Sequence, residues 1–274
     1  MRNLLTIATQ PDHNAPALEY AVRMAASLNA NLTAVCLCQP EASLPHIRSV
    51  LDMPEVIAYI RDFRHAATAE GPKFVEWARR QGVADPVWQV ARGGDGAILT
   101  EAAAWHDLLI LKRDSTPEGS ANAIGQQVMA CNLPCLVFPF QAGEGGSTFP
   151  RVAVAYNGAV ESIRALTAAL PLLARADSVV VLSGQPPVKS AAQSFVPSFH
   201  PLEWLARNNV DATNHALEAL PGDEGHALLE AAAALEADML VMGAYGHSRL
   251  SEWIFGGATR HALEHAAIPL LMRH

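Results

Sequence analysis

The chain is written twice, and that repetition limits its fold more than any other feature. Residues 4–9 open the first half as an apolar run, and Arg151–Tyr156 open the second. Each run leads to an alanine-rich stretch with helical spacing, residues 15–28 and 160–174. Each stretch leads to a run rich in β-branched residues, Asn31–Cys38 and Ser178–Ser183. A less regular segment follows in both, then a Gly-Asp pair, Gly94-Asp95 and Gly222-Asp223. The match is best after that pair. Ala102-Ala103 and Asp107-Leu108-Leu109-Ile110-Leu111 answer Ala233-Ala234 and Asp238-Met239-Leu240-Val241-Met242. Both halves close on a proline-led run, residues 133–138 and 268–272.

Strands that alternate with helices imply a parallel sheet with helices on both faces. The strand runs are continuously apolar, as a sheet covered on both sides requires. The expected fold is therefore α/β, with two tandem Rossmann-like domains at residues 1–140 and 150–274. Residues 141–149 are glycine-rich and poor in apolar side chains, which marks a linker. The formal net charge of −8 argues against a nucleic-acid or anionic-membrane surface. No apolar run approaches the roughly 18 residues of a membrane span. The first residues lack the pattern of a secretory leader, so a cytoplasmic protein is expected. Zinc would need Cys36, Cys38, Cys131 and Cys135 to converge. Buried free thiols acting as small hydrophobes are the expected reading.

The chemistry concentrates in the segment after the run at residues 238–242. Its glycines are Gly243, Gly246, Gly256 and Gly257, and the helical stretch at residues 260–265 follows. A glycine loop between strand and helix lets backbone approach a phosphate, and the free N–H groups of the helix start attract anions. The amides of Gly256, Gly257, Ala258 and Thr259 are the candidate donors, with the Thr259 hydroxyl beside them. His247 and Arg249 add positive charge. Neither a P-loop nor a Gly-x-Gly-x-x-Gly fingerprint occurs in the corresponding places.

This loop resembles the nucleotide loop of the universal stress protein family, Gly-x2-Gly-x9-Gly-(Ser/Thr). Gly243, Gly246 and Gly256 fit the spacing, and Gly257 stands where Ser or Thr is usual. The resemblance extends over nearly the whole chain as two tandem domains. It implies an adenine nucleotide alpha hydrolase-like fold in each half, a five-stranded parallel sheet in the order 3-2-1-4-5. It also implies ATP or a related adenine nucleotide in the second half, with magnesium left open. The adenine would lie over Tyr156, Asn157 and Gly158, near Gly184. Asn157 replaces the usual Asp, keeping a carbonyl acceptor and losing the charge. A lost hydroxyl bond to phosphate costs about 1.5–3 kcal/mol, or about ten- to hundredfold in affinity, so binding is expected to be weakened.

The first half departs further. Lys112-Arg113-Asp114 follows its fourth run, without a Gly-x2-Gly pair, and Asp12 after Pro11 is its nearest imitation of the family Asp. It reads as degenerate and structural. Family members pair through their last strands, so residues 134–138 are expected antiparallel beside residues 269–272, an intramolecular pseudo-dimer that covers two sheet edges. A homodimer of the chain and a protein partner stay open. The functional reading is a cytoplasmic stress-response switch that binds adenine nucleotide, with slow hydrolysis at most and no general base assigned. The alternative is a nucleotide-free interaction protein with a vestigial loop. A hydrolase or transferase lacks a nucleophile motif such as Gly-x-Ser-x-Gly.

Three further features are noted. His261 and His265 share a helix face at metal-ligand spacing, but no third ligand is evident, and a solvated face is expected. Trp253, Ile254 and Phe255 form an apolar cluster expected to pack. Residues 41–71 read as a pair of extra helices, and residues 186–203 as a loop.

Overall fold

A computed structural model describes residues 1–38, 54–92, 95–113, 117–139, 147–184, 200–220, 222–245 and 257–274. It divides into two compact units, Met1–Leu111 and Lys112–His274. In the first, β1 (Asn3–Ala8), β2 (Asn31–Cys38), β3 (Pro86–Arg92) and β4 (Leu108–Lys112) alternate with α1 (Pro16–Leu28), α2 (Pro54–Arg80) and α3 (Asp95–Ala103). The strands lie in the order β3-β2-β1-β4, all parallel. Leu4, Leu5, Leu32, Leu108 and Leu109 are fully buried, as continuous apolar runs demand. Pro16 opens α1 at a position where its missing N–H is not needed. Asn29 ends that helix in the left-handed region, its N–H donating to Ala26.

The second unit begins with α4 (Pro117–Cys131) and β5 (Cys135–Phe138). Then come β6 (Arg151–Tyr156), α5 (Val160–Leu173), β7 (Ser178–Ser183), α6 (Pro201–Arg207) and β8 (Thr213–Ala216). The chain finishes with α7 (Glu224–Ala234), β9 (Met239–Gly243), α8 (Gly257–His265) and β10 (Leu270–Arg273). Strands β8, β7, β6, β9 and β10 are parallel neighbours in that order, which is the expected 3-2-1-4-5 arrangement. The two proline-led strands pair antiparallel, with Leu270 opposite Val137 and Met272 opposite Cys135. Helix α4 packs on α8. By sequence α4 and β5 finish the first repeat, yet they pack with the second. The repeat boundary and the packing boundary are different divisions of the chain, and most of the 141–149 linker lies outside the described residues.

One aspartate performs the same task in both halves. Asp107 Oδ2 accepts the N–H groups of Arg2 (2.6 Å) and Asn3 (3.0 Å), and Asp238 Oδ2 accepts the N–H of Arg151 (2.9 Å). Each ties the start of the fourth strand to the start of the first. Burial pushes both carboxyls up, but these hydrogen bonds outweigh it and hold them below the usual range.

Two local expectations differ. Within residues 41–71, residues 41–53 lie outside the described set, and the rest forms one helix that runs through Gly71-Pro72 to Arg80. Gly71 is placed by packing: a Cβ there would meet Trp88 Cδ1 at 3.1 Å, and the Trp88 indole donates to the Ala67 carbonyl. Residues 201–203, expected in a loop, open α6. Among the described residues no helix is long and apolar enough to cross a membrane.

Candidate nucleotide site in the second half

The strands of the second half end on one edge, where open α/β sheets hold ligands. Strand β6 ends at Tyr156, and Asn157 and Gly158 lead into α5. Gly158 has φ +79°, which favours glycine. The Asn157 side-chain carbonyl accepts the N–H of Ala159 at 3.0 Å, an Asx turn that fixes the side chain at the strand end. The N–H of Gly184 donates to the Tyr156 carbonyl at 2.9 Å, so the ends of β6 and β7 meet. Ser183 donates its hydroxyl to the Asn214 side chain on β8. Tyr156 is half-buried, and burial raises its phenol pKa.

Gly243 ends β9 against α5. A Cβ there would lie 2.7 Å from the Glu161 carbonyl carbon and from the Ser162 nitrogen. This glycine is therefore required by close packing of helix on strand, whatever it also does for a ligand. Glu161 is buried at that contact, and its Oε2 has no hydrogen-bond partner. Beyond Gly243, the N–H of Ala244 donates to the Arg273 carbonyl. Tyr245 is buried with φ +54°, and burial pushes its phenol up to about 12. Its ring rests on α4, where a Cβ on Gly125 would overlap its hydroxyl.

Helix α8 opens beside this strand end. Its Thr259 is buried, and the hydroxyl oxygen accepts the Tyr245 N–H at 3.4 Å. Gly257 is exposed, with no heavy atom within 4 Å of where a Cβ would be. Of the expected residues, Tyr156, Asn157, Gly158, Gly184, Gly243, Gly257, Ala258 and Thr259 are described and belong to adjoining strand and helix ends. Gly246, His247, Arg249, the cluster Trp253-Ile254-Phe255 and Gly256 lie outside the described residues. Sequence reading missed Glu161 and Tyr245. Neither breaks a pattern: Glu161 reads as an ordinary first-turn acid of a helix, and Tyr245 fills a free position of the motif.

The equivalent edge of the first half is built differently. Asp12 makes the same Asx turn, accepting the Asn14 N–H at 2.9 Å. Next to it Glu70 of α2 is buried and accepts the His13 backbone N–H (3.2 Å), the His13 ring and Lys73 Nζ (3.0 Å). Burial raises the Glu70 carboxyl, but these donors bring it down to about 2. The His13 ring meets Trp77 edge-on. Asp12, His13 and Glu70 are also, among the described residues, the group whose metal-capable atoms lie within 4.8 Å of one another, though Glu70 is already matched by donors. His261 and His265 stack at 4.3 Å, with His226 of α7 6.0 Å from His261. At the end of β4, Arg113 reaches α8 and donates to the carbonyls of Leu263 (2.7 Å) and Ala266 (2.8 Å), capping that helix.

Residues 148–274 match the universal stress protein family model. No curated protein matches the chain in sequence. A universal stress protein from Archaeoglobus fulgidus DSM 4304 shares the fold at TM-score 0.70 and 13% identity, over 99% of this chain and 95% of its own. A putative universal stress protein from Pseudomonas aeruginosa UCBPP-PA14 does so at TM-score 0.60 and 12% identity, over 100% of this chain and 93% of its own. A functionally unknown protein from Pseudomonas aeruginosa PAO1 matches at TM-score 0.61 and 13% identity, over 100% and 92%. At these identities the likeness concerns the fold. The second half of the chain, residues 148–274, thus matches the universal stress protein family, and the chain shares its fold end to end with solved proteins of that description.

Proposed function

We propose that the chain binds ATP or a related adenine nucleotide in its second half, and that binding acts as a switch in a cytoplasmic stress response. The supporting observation is the meeting of three strand ends and a helix start. Asn157 and Gly158, Gly184, and Gly243 close one edge of the sheet, and Gly257, Ala258 and Thr259 begin the helix beside it. Such an edge offers backbone amides and a helix N-terminus to phosphates. The adenine would use the second lone pair of the Asn157 carbonyl, since Ala159 takes the first. Affinity would be modest, because Gly257 brings no hydroxyl and the Thr259 oxygen is already an acceptor within the fold.

A test uses protein purified from its natural expression background. Denaturation followed by ion-exchange chromatography should release an adenine nucleotide, and calorimetry with millimolar ATP should give heat. Gly246→Val should abolish that heat. If no nucleotide is released and no heat appears, the switch reading fails.

The second reading, an interaction protein with a vestigial loop, draws on Glu161. A buried carboxylate beside Gly243 sets negative charge near the approach of a phosphate. Glu161→Gln separates the two. A working site gains affinity for ATP when that charge is removed, and a vestigial one shows no binding in either form.

A further inference from the structure

We propose that Cys131 and Cys135 form a peroxide-reactive dithiol, oxidised by hydrogen peroxide to a disulfide, with Cys131 as the attacking sulfur and Arg273 as the neighbouring cation. The pair is independent of the nucleotide reading. The two sulfurs lie 3.4 Å apart, in van der Waals contact. A disulfide needs about 2 Å, so the sulfurs have a short distance to close. The backbone between them is a turn and not a rigid element. Cys131 is the last residue of α4, Asn132 sits in the left-handed region at φ +48°, and Cys135 opens β5.

The electrostatics divide the labour. The two sulfurs share a hydrogen bond, and the Cys131 sulfur also reaches the Val128 and Leu133 carbonyls; the bond with Cys135, then backbone contacts and the charge of Arg273, lower the Cys131 thiol despite burial. Its hydrogen bond to Cys131 and complete burial push Cys135 up. One sulfur is thus favoured as thiolate, and the other keeps its proton. The C-terminal end of α4 works against a thiolate there, and the hydrogen bond with Cys135 offsets it first, with the Arg273 charge adding the smallest part. Arg273 follows Met272, whose register partner is Cys135. Its Nε is buried and has no hydrogen-bond partner, so its charge is not quenched at that atom. Cys36 and Cys38 make the contrast. Burial and then Cys38 push Cys36 up to about 12, and burial raises Cys38 although Arg92 opposes it.

The reaction balances with hydrogen peroxide as the oxidant. The Cys131 thiolate attacks one peroxide oxygen and the O–O bond breaks. The second oxygen leaves as hydroxide and takes up the proton that Cys131 released, giving water. Cys135 then attacks the sulfur of the resulting sulfenic acid. The S–O bond breaks, the hydroxyl leaves as water with the Cys135 proton, and the S–S bond forms. Two thiols lose two electrons and two protons, and the peroxide becomes two waters. Cys131 is 3% exposed and Cys135 0%. Such burial shuts glutathione disulfide out of the folded chain, so an oxidant that reaches these sulfurs must be small.

The experiment treats the reduced, folded chain with hydrogen peroxide, then denatures it, alkylates the remaining thiols and maps tryptic peptides. The peptide of residues 114–151 holds both cysteines and should escape alkylation at both, while Cys36 and Cys38 are alkylated. Glutathione disulfide should leave all four open to alkylation. Cys135→Ser should stop at a Cys131 sulfenic acid that dimedone captures. Arg273→Gln should slow oxidation by roughly two- to threefold and move its pH midpoint upward. The proposal is overturned if Cys131 and Cys135 are alkylated after peroxide. It is also overturned if glutathione disulfide works as fast, since oxidation would then follow unfolding. An unchanged pH midpoint in Arg273→Gln removes the arginine from the assignment.

Discussion

The two halves keep the same framework and differ where a ligand would sit. Both fasten the fourth strand to the first through an aspartate, Asp107 and Asp238. Both make an Asx turn after the first strand, at Asp12 and Asn157. In both, the N–H two residues past the end of the repeat's best-matched run donates to the end of the last strand, Arg113 to Phe138 and Ala244 to Arg273. The difference starts one residue earlier. Gly243 lets α5 settle on β9, and α5 packs over β6, β9 and β10, whereas Lys112 holds the equivalent place and α1 packs on β1 and β2. Beyond that point the first half spends Arg113 on capping a helix and fills the neighbourhood of Asp12 with His13, Glu70 and Trp77. Framework contacts are needed by any copy of the fold, so both copies retain them. At the strand edge the first half makes contacts within the fold in place of the glycine-led geometry of the second.

The strongest way to break this comparison is to exchange its pivotal residues. Gly243→Lys places a Cβ 2.7 Å from backbone atoms of Glu161 and Ser162, which cannot yield as a side chain can. It should lose about 3 kcal/mol or more in urea unfolding. Lys112→Gly removes no such constraint and should cost below about 1 kcal/mol. Equal losses would mean that close helix packing is not what sets Gly243 apart.

Acid comes next. Glu70 has a folded value of about 2 against an ordinary 4.5, so its contribution is complete above pH 4.5 and is lost as pH falls towards 2. That contribution is of order 3 kcal/mol. Glu70→Gln should lack this part of the acid-induced loss, and unfolding midpoints measured from pH 6 to pH 2 should fall less steeply than in the parent. The aspartate ties are a smaller and symmetrical effect. Asp107→Ala and Asp238→Ala should each cost about 1–2 kcal/mol by losing hydrogen bonds to backbone N–H groups. A marked inequality between them would show that one half leans on its tie more than the other.

Much of the framework could be read from residues alone. Asp107-Leu108-Leu109-Ile110-Leu111 and Asp238-Met239-Leu240-Val241-Met242 announce buried parallel strands, while the β5–β10 pairing is what the family resemblance implies. What escaped reading depends on contacts between distant segments. That α4 and β5 pack with the second repeat follows from surfaces such as Gly125 under Tyr245, which no periodicity reveals. Gly71-Pro72 reads as a helix end, yet α2 continues because Gly71 makes room for Trp88. At the site, the spacing located Gly243 but not its steric reason. The partner of Thr259 and the burial of Glu161 belong to the folded arrangement and have no sequence signature.

The gentlest exchange is also the sharpest test of the second half. Gly257 is exposed at the start of α8, and a Cβ there would meet no heavy atom within 4 Å. Gly257→Ser should therefore change stability by less than about 0.5 kcal/mol, or raise it slightly, since serine suits a helix start. Its hydroxyl would restore the last position of the family loop. If phosphates approach this helix start, ATP affinity should rise about ten- to hundredfold, measured by calorimetry on parent and variant at one salt concentration. Unchanged stability with unchanged affinity would remove the phosphates from the start of α8. The same serine placed in the first half has no glycine loop around it and should confer no binding. The exchange thus asks of one residue whether the halves differ in function as they differ in geometry.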